Sequence, residues 1–374
     1  MKNNYLFISY FLLSFITLSC FKSQYTYQQP NSSLVDAYWQ PQVISTKGFY
    51  NLTQSLPKNY STKGNVDYTT YLQLALYKYS KVIMPNFPIL INKNGLKVNS
   101  NQTIYFPKNA LLKFQGPALA KLDDVLKIYN VSNVKIINPQ IEGSKNSNLS
   151  QDGQWSAGIA ILNSKNITIT NIHITNTFGD GLFIGSEDGG FSENISVIGG
   201  WIDNARRNGL SITSGKNIKV EKLFISNTSG HDPEAGVDVE PSWYKDIIEN
   251  VLLKNIYTFN NKQAGIAVNM NALNVSSDVA AKTIGLTIDG HTDQGSNHAF
   301  LASLNQAENN NNFDAKGKIT IKNSNWKNTR NTSFWTTPNN HRIQVDFDNI
   351  SIDDPEKSNS FKKNVQSKSG LNLQ

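Results

Sequence analysis

Asn166-Ile-Thr-Ile-Thr-Asn-Ile-His-Ile174 contains the same short phrase twice, an Asn followed by alternating aliphatic and polar residues. Period-two alternation puts Ile167 and Ile169 on one face of a strand and Thr168 on the other. The phrase recurs as Asn133-Val-Lys-Ile136, Asn194-Ile-Ser-Val197 and Asn217-Ile-Lys-Val220. Looser copies are Asn250-Val-Leu-Leu253, Thr283-Ile-Gly-Leu286 and Lys318-Ile-Thr-Ile321. The five Asn starts are separated by 33, 28, 23 and 33 residues. A second strand phrase follows closely in most copies, as in Lys222-Leu-Phe-Ile225. A third follows a glycine: Gly158-Ile-Ala-Ile161, Gly181-Leu-Phe-Ile184, Gly209-Leu-Ser-Ile212, Gly236-Val-Asp-Val239 and Gly265-Ile-Ala-Val268. Phe300-Leu-Ala-Ser303 and Phe334-Trp-Thr-Thr337 continue that column without the Gly. Three short strands per repeat of variable length define a parallel β-solenoid, in which stacked coils share one core that no coil could bury alone.

The Asn that opens each phrase suits a turn position stacked on its counterpart in the next coil, amide bonded to amide. Upstream, residues Asp67 to Val82 read as a helix, with Asp67 as N-cap and Tyr71, Leu72, Ala75, Leu76 and Tyr79 at helical spacing. Such a helix would cover the open N-terminal end of the stack, which is otherwise an exposed sheet edge.

The chain has 374 residues, 39% hydrophobic and 17% charged, with a formal charge of +7. The length suits one large β-domain or two ordinary ones. The positive charges are scattered and form no Arg/Lys-rich arm, so nucleic acid is not an expected partner. A mildly basic surface either favours an acidic polysaccharide or keeps the protein soluble. Residues 1–20 read as an export signal, with Lys2 ahead of an apolar run from Tyr5 to Leu18 that is too short for a typical membrane span. The run ends Ile16-Thr-Leu-Ser-Cys20, similar to the lipobox of bacterial lipoproteins, in which the Cys is lipidated. The competing reading is an ordinary secretion signal. The expectation is a protein exported from a bacterial cell, monomeric, touching a membrane only through that lipid. Cys20 is the only cysteine, so burial and backbone hydrogen bonds must hold the fold without a disulfide. Residues 21–65 read as tether and lead-in, 66–353 as the solenoid and 354–374 as a polar tail.

The layout resembles the right-handed parallel β-helix proteins of the pectate lyase superfamily, including its pectate lyase 3 and right-handed β-helix groups. The resemblance is carried by Gln73-Leu-Ala-Leu76 in the helix, Val82-Ile-Met-Pro85, Tyr105-Phe-Pro107 and the Asn-Ile-x-Ile ladder, and it covers residues 66–350. It implies an all-β, single-stranded right-handed parallel β-helix of the pectin lyase type with an N-terminal capping helix. Members include lyases, hydrolases, epimerases and tailspikes, so the resemblance does not choose a reaction. Asn176-Thr-Phe-Gly-Asp-Gly181 is similar to a region of polygalacturonase-type hydrolases, but their adjacent Asp pair, Gly-His-Gly and Arg-Ile-Lys phrases are absent.

Within the third phrase the inward positions are uniformly aliphatic, including Leu210, Ile212, Val237, Val239, Ile266 and Val268. The outward positions are Ala160, Leu162, Phe183, Gly185, Ser211, Thr213, Asp238, Glu240, Ala267, Asn269, Leu301, Ser303, Trp335 and Thr337. A one-residue slip would bury Asp238 and Glu240 unpaired, so the register is fixed. Asp238 and Glu240 form the one acidic pair on this face, with Glu234, Asp180 and His231 in the neighbouring turns as further catalytic candidates. Strand geometry puts the two Cβ atoms roughly 6.6 Å apart, compatible with the roughly 6.5–9.5 Å of an inverting glycosidase pair. The alternatives are a solvated patch or a calcium site built with Asp180 or Glu234; no cofactor is certain, and calcium is the one considered. Arg206, Arg207, Asn208, Lys262, Asn269 and His298 are candidate substrate contacts, and Trp243, Tyr244, Phe183 and Trp335 candidate platforms for sugar rings. Hydrolysis of a polysaccharide, acidic in character, by the carboxylate pair is the leading expectation. A lyase would instead use Arg207, His231 or Lys262, with calcium in some forms. A glycan-binding surface protein without catalysis is the third reading.

Overall fold

The structure, a computed structural model, describes residues 25–114, 116, 123–147, 154–274, 282–304, 315–337 and 342–374. The segment expected to be an export signal, with Cys20, lies outside the described residues.

The chain winds into a parallel β-helix. One sheet has nine strands, each hydrogen-bonded to the next in chain order. They are β1 (Leu96–Lys97), β2 (Leu126–Tyr129), β3 (Ile159–Leu162), β4 (Leu182–Gly185), β5 (Leu210–Ile212), β6 (Ala235–Val239), β7 (Ala264–Asn269), β8 (His298–Ser303) and β9 (Phe334–Thr336). The remaining faces of the coils form a 17-stranded sheet. There the repeat phrases stack in register, Val134 on Ile167, then Ile195, Ile218, Val251, Leu286, Ile319 and Val345. These residues are all nearly fully buried, in one continuous core.

The Asn column forms the expected ladder. The amide Nδ2 of Asn133 donates to Asn101 Oδ1 at 2.9 Å, Asn166 to Asn133 at 3.0 Å, Asn194 to Asn166 at 3.0 Å, Asn217 to Asn194 at 3.0 Å and Asn250 to Asn217 at 2.7 Å. Each of these residues sits in the left-handed region, with φ between 53° and 60°. Asn tolerates that region better than other residues with a side chain, and it also supplies a donor and an acceptor for the ladder. Asn194→Ala should therefore lose about 1–2 kcal/mol through both terms, and Asn194→Gly less, because glycine relieves the backbone. Denaturant midpoints should rank Asn above Gly above Ala; Ala equal to Asn would show that the ladder contributes nothing.

Both ends of the stack are covered. The helix expected at Asp67–Val82 is shorter, and an earlier short helix precedes it, so in chain order the helices are α1 (Ser32–Tyr38), α2 (Thr69–Lys78) and α3 (Pro355–Gln366). Helix α2 buries Leu72, Ala75 and Leu76 over the first coils. Asp67 is not its N-cap: Asp67 lies in a bridge with Leu90, while its Oδ1 accepts the Thr69 N–H at 2.9 Å. Val82 belongs to a strand, Lys81–Ile83, that begins after the helix has ended.

Two segments expected to be loose are built into the body. Residues 25–42 run along the outside of the 17-stranded sheet instead of forming a tether. Asn227 and Gln28 exchange two hydrogen bonds, as do Asn138 and Gln42. Trp39 stacks on His173 at 4.3 Å, and Tyr38 packs on Phe224 and Tyr257, each at 6.0 Å. The polar composition hides this because the bonds go from backbone groups to Asn side chains. The C-terminal tail is likewise ordered: Asp354 caps α3, which buries Phe361 and Val365 against the last coil, and Leu371–Leu373 pairs with Ile343–Ile352.

Candidate active site

The nine-stranded sheet carries the site on its outer face. Pairing places Ala160, Phe183, Ser211, Asp238, Ala267, Leu301 and Trp335 in one column. The inward neighbours Val237 and Val239 are fully buried, and that burial aims Asp238 and Glu240 outward.

A second column, in the turn just before each strand, does the positioning. At that level Asp124 Oδ1 accepts the N–H of Ala157, Asp180 Oδ1 that of Asn208 (3.0 Å), and Asn208 Oδ1 that of Ala235 (3.1 Å). Each side chain thus satisfies a backbone donor one coil on and keeps its other polar atom for the groove. For Asp180 that atom is Oδ2, which receives Arg207 Nη1 at 3.1 Å. For Asn208 it is Nδ2, which donates to Asp238 Oδ2 and to Ser211 Oγ, both at 3.0 Å. Arg207 Nη2 lies 3.8 Å from Glu240 Oε2, and Asn269 Nδ2 donates to Glu240 Oε1 at 2.7 Å.

Three carboxyl groups therefore share one guanidinium. Asp180 and Asp238 are almost completely buried, while the Glu240 side chain keeps 33% exposure. Ionising all three would leave an excess of buried negative charge, which is costly in a desolvated site. Burial, then the Glu240 charge, pushes the Asp238 carboxyl well above the usual carboxylate range; Arg207 opposes this less strongly. Burial also raises Asp180, against the pull of Arg207 and of the Ser211 and Asn208 donors. The three carboxyls in turn hold the Arg207 guanidinium above its ordinary value despite its burial. The Glu240 carboxylate, two residues along the same strand, thus favours the protonated form of Asp238. Asp238 therefore gives up its proton less readily than an ordinary aspartate, and Glu240 beside it is the more exposed of the two.

The other candidates fall elsewhere. Glu234 is buried and ties its own turn, accepting from Gly230 N–H at 2.6 Å and from Lys262 Nζ at 2.8 Å; neither Glu234 nor Lys262 joins the Asp238 network. Arg206, next to Arg207, points the other way and lays its guanidinium 4.3 Å from the Phe178 ring centre. His231 bonds the adjacent Asp232 carbonyl at 3.0 Å. His298 shares the Asp180 turn column but is buried, with Nδ1 on the Thr332 carbonyl at 2.9 Å, and burial lowers its pKa. These roles escape a sequence reading because turn paths have no period.

Phe183 and Trp335 stay in the groove column. Trp243 and Tyr244 are exposed in the turn after β6. Asp246, which the sequence gave no reason to single out, anchors that turn: Oδ2 accepts from Ser242 and Trp243 N–H at 2.7 and 2.9 Å, and Oδ1 from Ser186 Oγ at 3.2 Å. Among the described residues no group of three His, Cys, Asp or Glu side chains is placed to hold a metal ion. With Arg207 among the three carboxyls, the residues do not fit a calcium cage, because a cation there would meet the guanidinium charge.

The architecture is that of the right-handed parallel β-helix proteins, and comparison with known structures agrees. The tailspike gp49 of Acinetobacter baumannii bacteriophage Fri1, a capsular polysaccharide depolymerase, superposes with a TM-score of 0.59 at 15% identity over 83% of this chain and 55% of its own. PfbA, a surface adhesin of Streptococcus pneumoniae, gives 0.57 at 12% over 81% and 90%. The polygalacturonase of Erwinia carotovora gives 0.51 at 13% over 83% and 94%. At such identities the likeness is one of fold. By sequence, the uncharacterized protein YclG of Bacillus subtilis (strain 168) is 27% identical over 158 residues, 39% of this chain and 26% of YclG. The chain thus matches about a quarter of that relative's length. No protein-family model matches the chain.

Proposed function

We propose that this protein is an exported carbohydrate-active enzyme that hydrolyses a polysaccharide laid along the nine-stranded sheet, with Asp238 and Glu240 as a single-proton acid/base pair. The observation that carries this reading is the gathering of Asp180, Asp238 and Glu240 around Arg207 on an outward face whose neighbouring floor is uncharged. A buried carboxyl whose pKa is raised, as that of Asp238 is, is what general-acid chemistry uses. The pair's proton passes from Asp238 to the glycosidic oxygen as the carbon–oxygen bond breaks. Water then adds to the anomeric carbon, and its proton returns to the pair, so one proton suffices for a full cycle. Asp180 and Arg207 hold the pair and set its charge, and the Trp243–Tyr244 turn supplies a wall.

A lyase fits less well. Its base would be Arg207, His231 or Lys262, yet Arg207 is held protonated by its carboxylates, His231 caps its own turn and Lys262 is paired with Glu234. Two of the structural neighbours are a depolymerase and a polygalacturonase, and one is an adhesin. A polysaccharide panel separates the readings. Reducing ends that form without the ultraviolet absorbance of an unsaturated uronate support hydrolysis. Unsaturated products point to elimination, and binding without turnover points to an adhesin; either result overturns the proposal.

A further inference from the structure

The sheet carries a second polar site four strands toward the N-terminus. Strand β2 places Lys127 in the column of Asp238, through Ala160, Phe183 and Ser211. With a coil spacing of ~4.8 Å, Lys127 lies roughly 19 Å from Asp238 along the groove. Phe183 stands midway, its ring lying over Gly185, where an added Cβ would come within 2.9 Å of Phe183 Cε1. The intervening floor is thus flat and uncharged.

Lys127 is an unusual lysine. It is only 9% exposed, and among the described residues its ammonium group makes no ion pair and no hydrogen bond. Its buried neighbour Asp124 accepts the Ala157 N–H on one oxygen and the Tyr129 hydroxyl on the other, and the charges of Asp124 and Asp123 offset only part of the burial cost of Lys127. Lys97 stacks directly beside it in β1. Like charges directly opposite each other on adjacent strands repel, and burial of the Lys127 stem lowers its pKa. Both costs fall when an anion sits against the ammonium groups. Arg207 and Lys262, the cations first expected to hold an acidic sugar, are already neutralised by carboxylates.

We propose that Lys127, with Lys97 beside it, binds an anionic substituent of the polysaccharide, a carboxylate or a sulfate ester, several sugar residues away from the bond held at Glu240. This assignment rests on the groove reading above and makes the ligand an acidic glycan bound in one direction.

The test uses the full chain carrying Asp238→Asn, so that ligand is not consumed, with and without Lys127→Met, which keeps the aliphatic stem. The probes are polygalacturonate, its carboxyl-reduced counterpart and a sulfated galactan, with binding followed by calorimetry at low and high salt. Lys127→Met should weaken binding of a uronate or sulfated polymer about ten-fold or more and flatten its salt dependence. The carboxyl-reduced polymer should be unaffected, and Lys127→Arg should recover most of the loss. Lys216→Met, the same charge change beside Glu249 on the other sheet, should do nothing, and melting curves check that each variant folds. Preference between the uronate and the sulfated polymer identifies the anion. Equal binding with and without Lys127, equal losses on acidic and carboxyl-reduced polymers, or no binding of either acidic polymer overturns the assignment. Cleavage of an acidic polymer that is indifferent to Lys127→Met removes this subsite and leaves hydrolysis standing. Lys127-dependent binding without cleavage by the unmutated protein does the reverse.

Discussion

Asp238→Asn should lower polysaccharide turnover by about 10²–10⁴-fold, the usual reach of general acid–base catalysis, while leaving the fold intact and more stable at neutral pH. The two effects share one cause. The Asp238 carboxyl is raised in the folded state by burial and by Glu240, whereas in the unfolded chain it titrates near its ordinary value of about 3.9. Between those two values the folded state binds more protons than the unfolded state, so the carboxyl makes stability fall as pH rises through that window. Asparagine keeps the size and does not titrate. The stability gain of the variant should therefore be near zero at about pH 4, grow as pH rises and level off above the folded-state value. Thermal melts across that range test the sign, and initial rates test the catalytic half. A variant that is stabilised but fully active would remove Asp238 from the chemistry and leave its electrostatics standing.

Arg207→Met should be the most damaging single change at the site for stability. It strips the cation from Asp180, whose side chain is fully buried, and from Glu240. Removing one partner of a buried pair typically costs about 3–5 kcal/mol, because the remaining charge is left without compensation. The loss should be larger at pH 8 than at pH 5, since protonation relieves the orphaned carboxyls in acid. Denaturant titrations at the two pH values check this, and a loss independent of pH would mean that Arg207 acts by packing alone. Arg207→Lys restores the charge but not a fork that reaches both Asp180 and Glu240, so it should recover only part of the stability. In either variant the alkaline limb of the pH–rate profile should move to higher pH, because the guanidinium lowers the pKa of Asp238, the proton donor.

The register of the solenoid was legible because every coil repeats the same demands. Ile167 and its counterparts must face inward, and each Asn of the ladder must supply an amide where the backbone turns left-handed. That periodicity also fixed which way Asp238 and Glu240 point. It could not show that Asn208, Arg207 and Asn269 would reach these two carboxyls from neighbouring coils. Glu234, Lys262 and Arg206 lie in turns, where one residue more or less redirects a side chain, and they bond to each other or to Phe178 instead of to Asp238. Lys127 was missed because the phrase Leu126-Lys-Ile-Tyr129 lacks the leading glycine that marks the column elsewhere. Residues 25–42 and α3 were missed for a different reason. Their polar sequences carry few apolar anchors, chiefly Tyr38 and Trp39 in one and Phe361 and Val365 in the other, and those anchors have meaning only against surfaces that already exist.

The protonation of Asp238 can be observed directly by infrared difference spectroscopy of the unmutated protein against Asp238→Asn, followed from about pH 4 to pH 9. The expected result is a carboxylic-acid carbonyl band, absent from the variant, that persists well above the pH at which an ordinary aspartate ionises. Titration at the pH of an ordinary aspartate would contradict the raised carboxyl and with it the catalytic role assigned to Asp238 and Glu240.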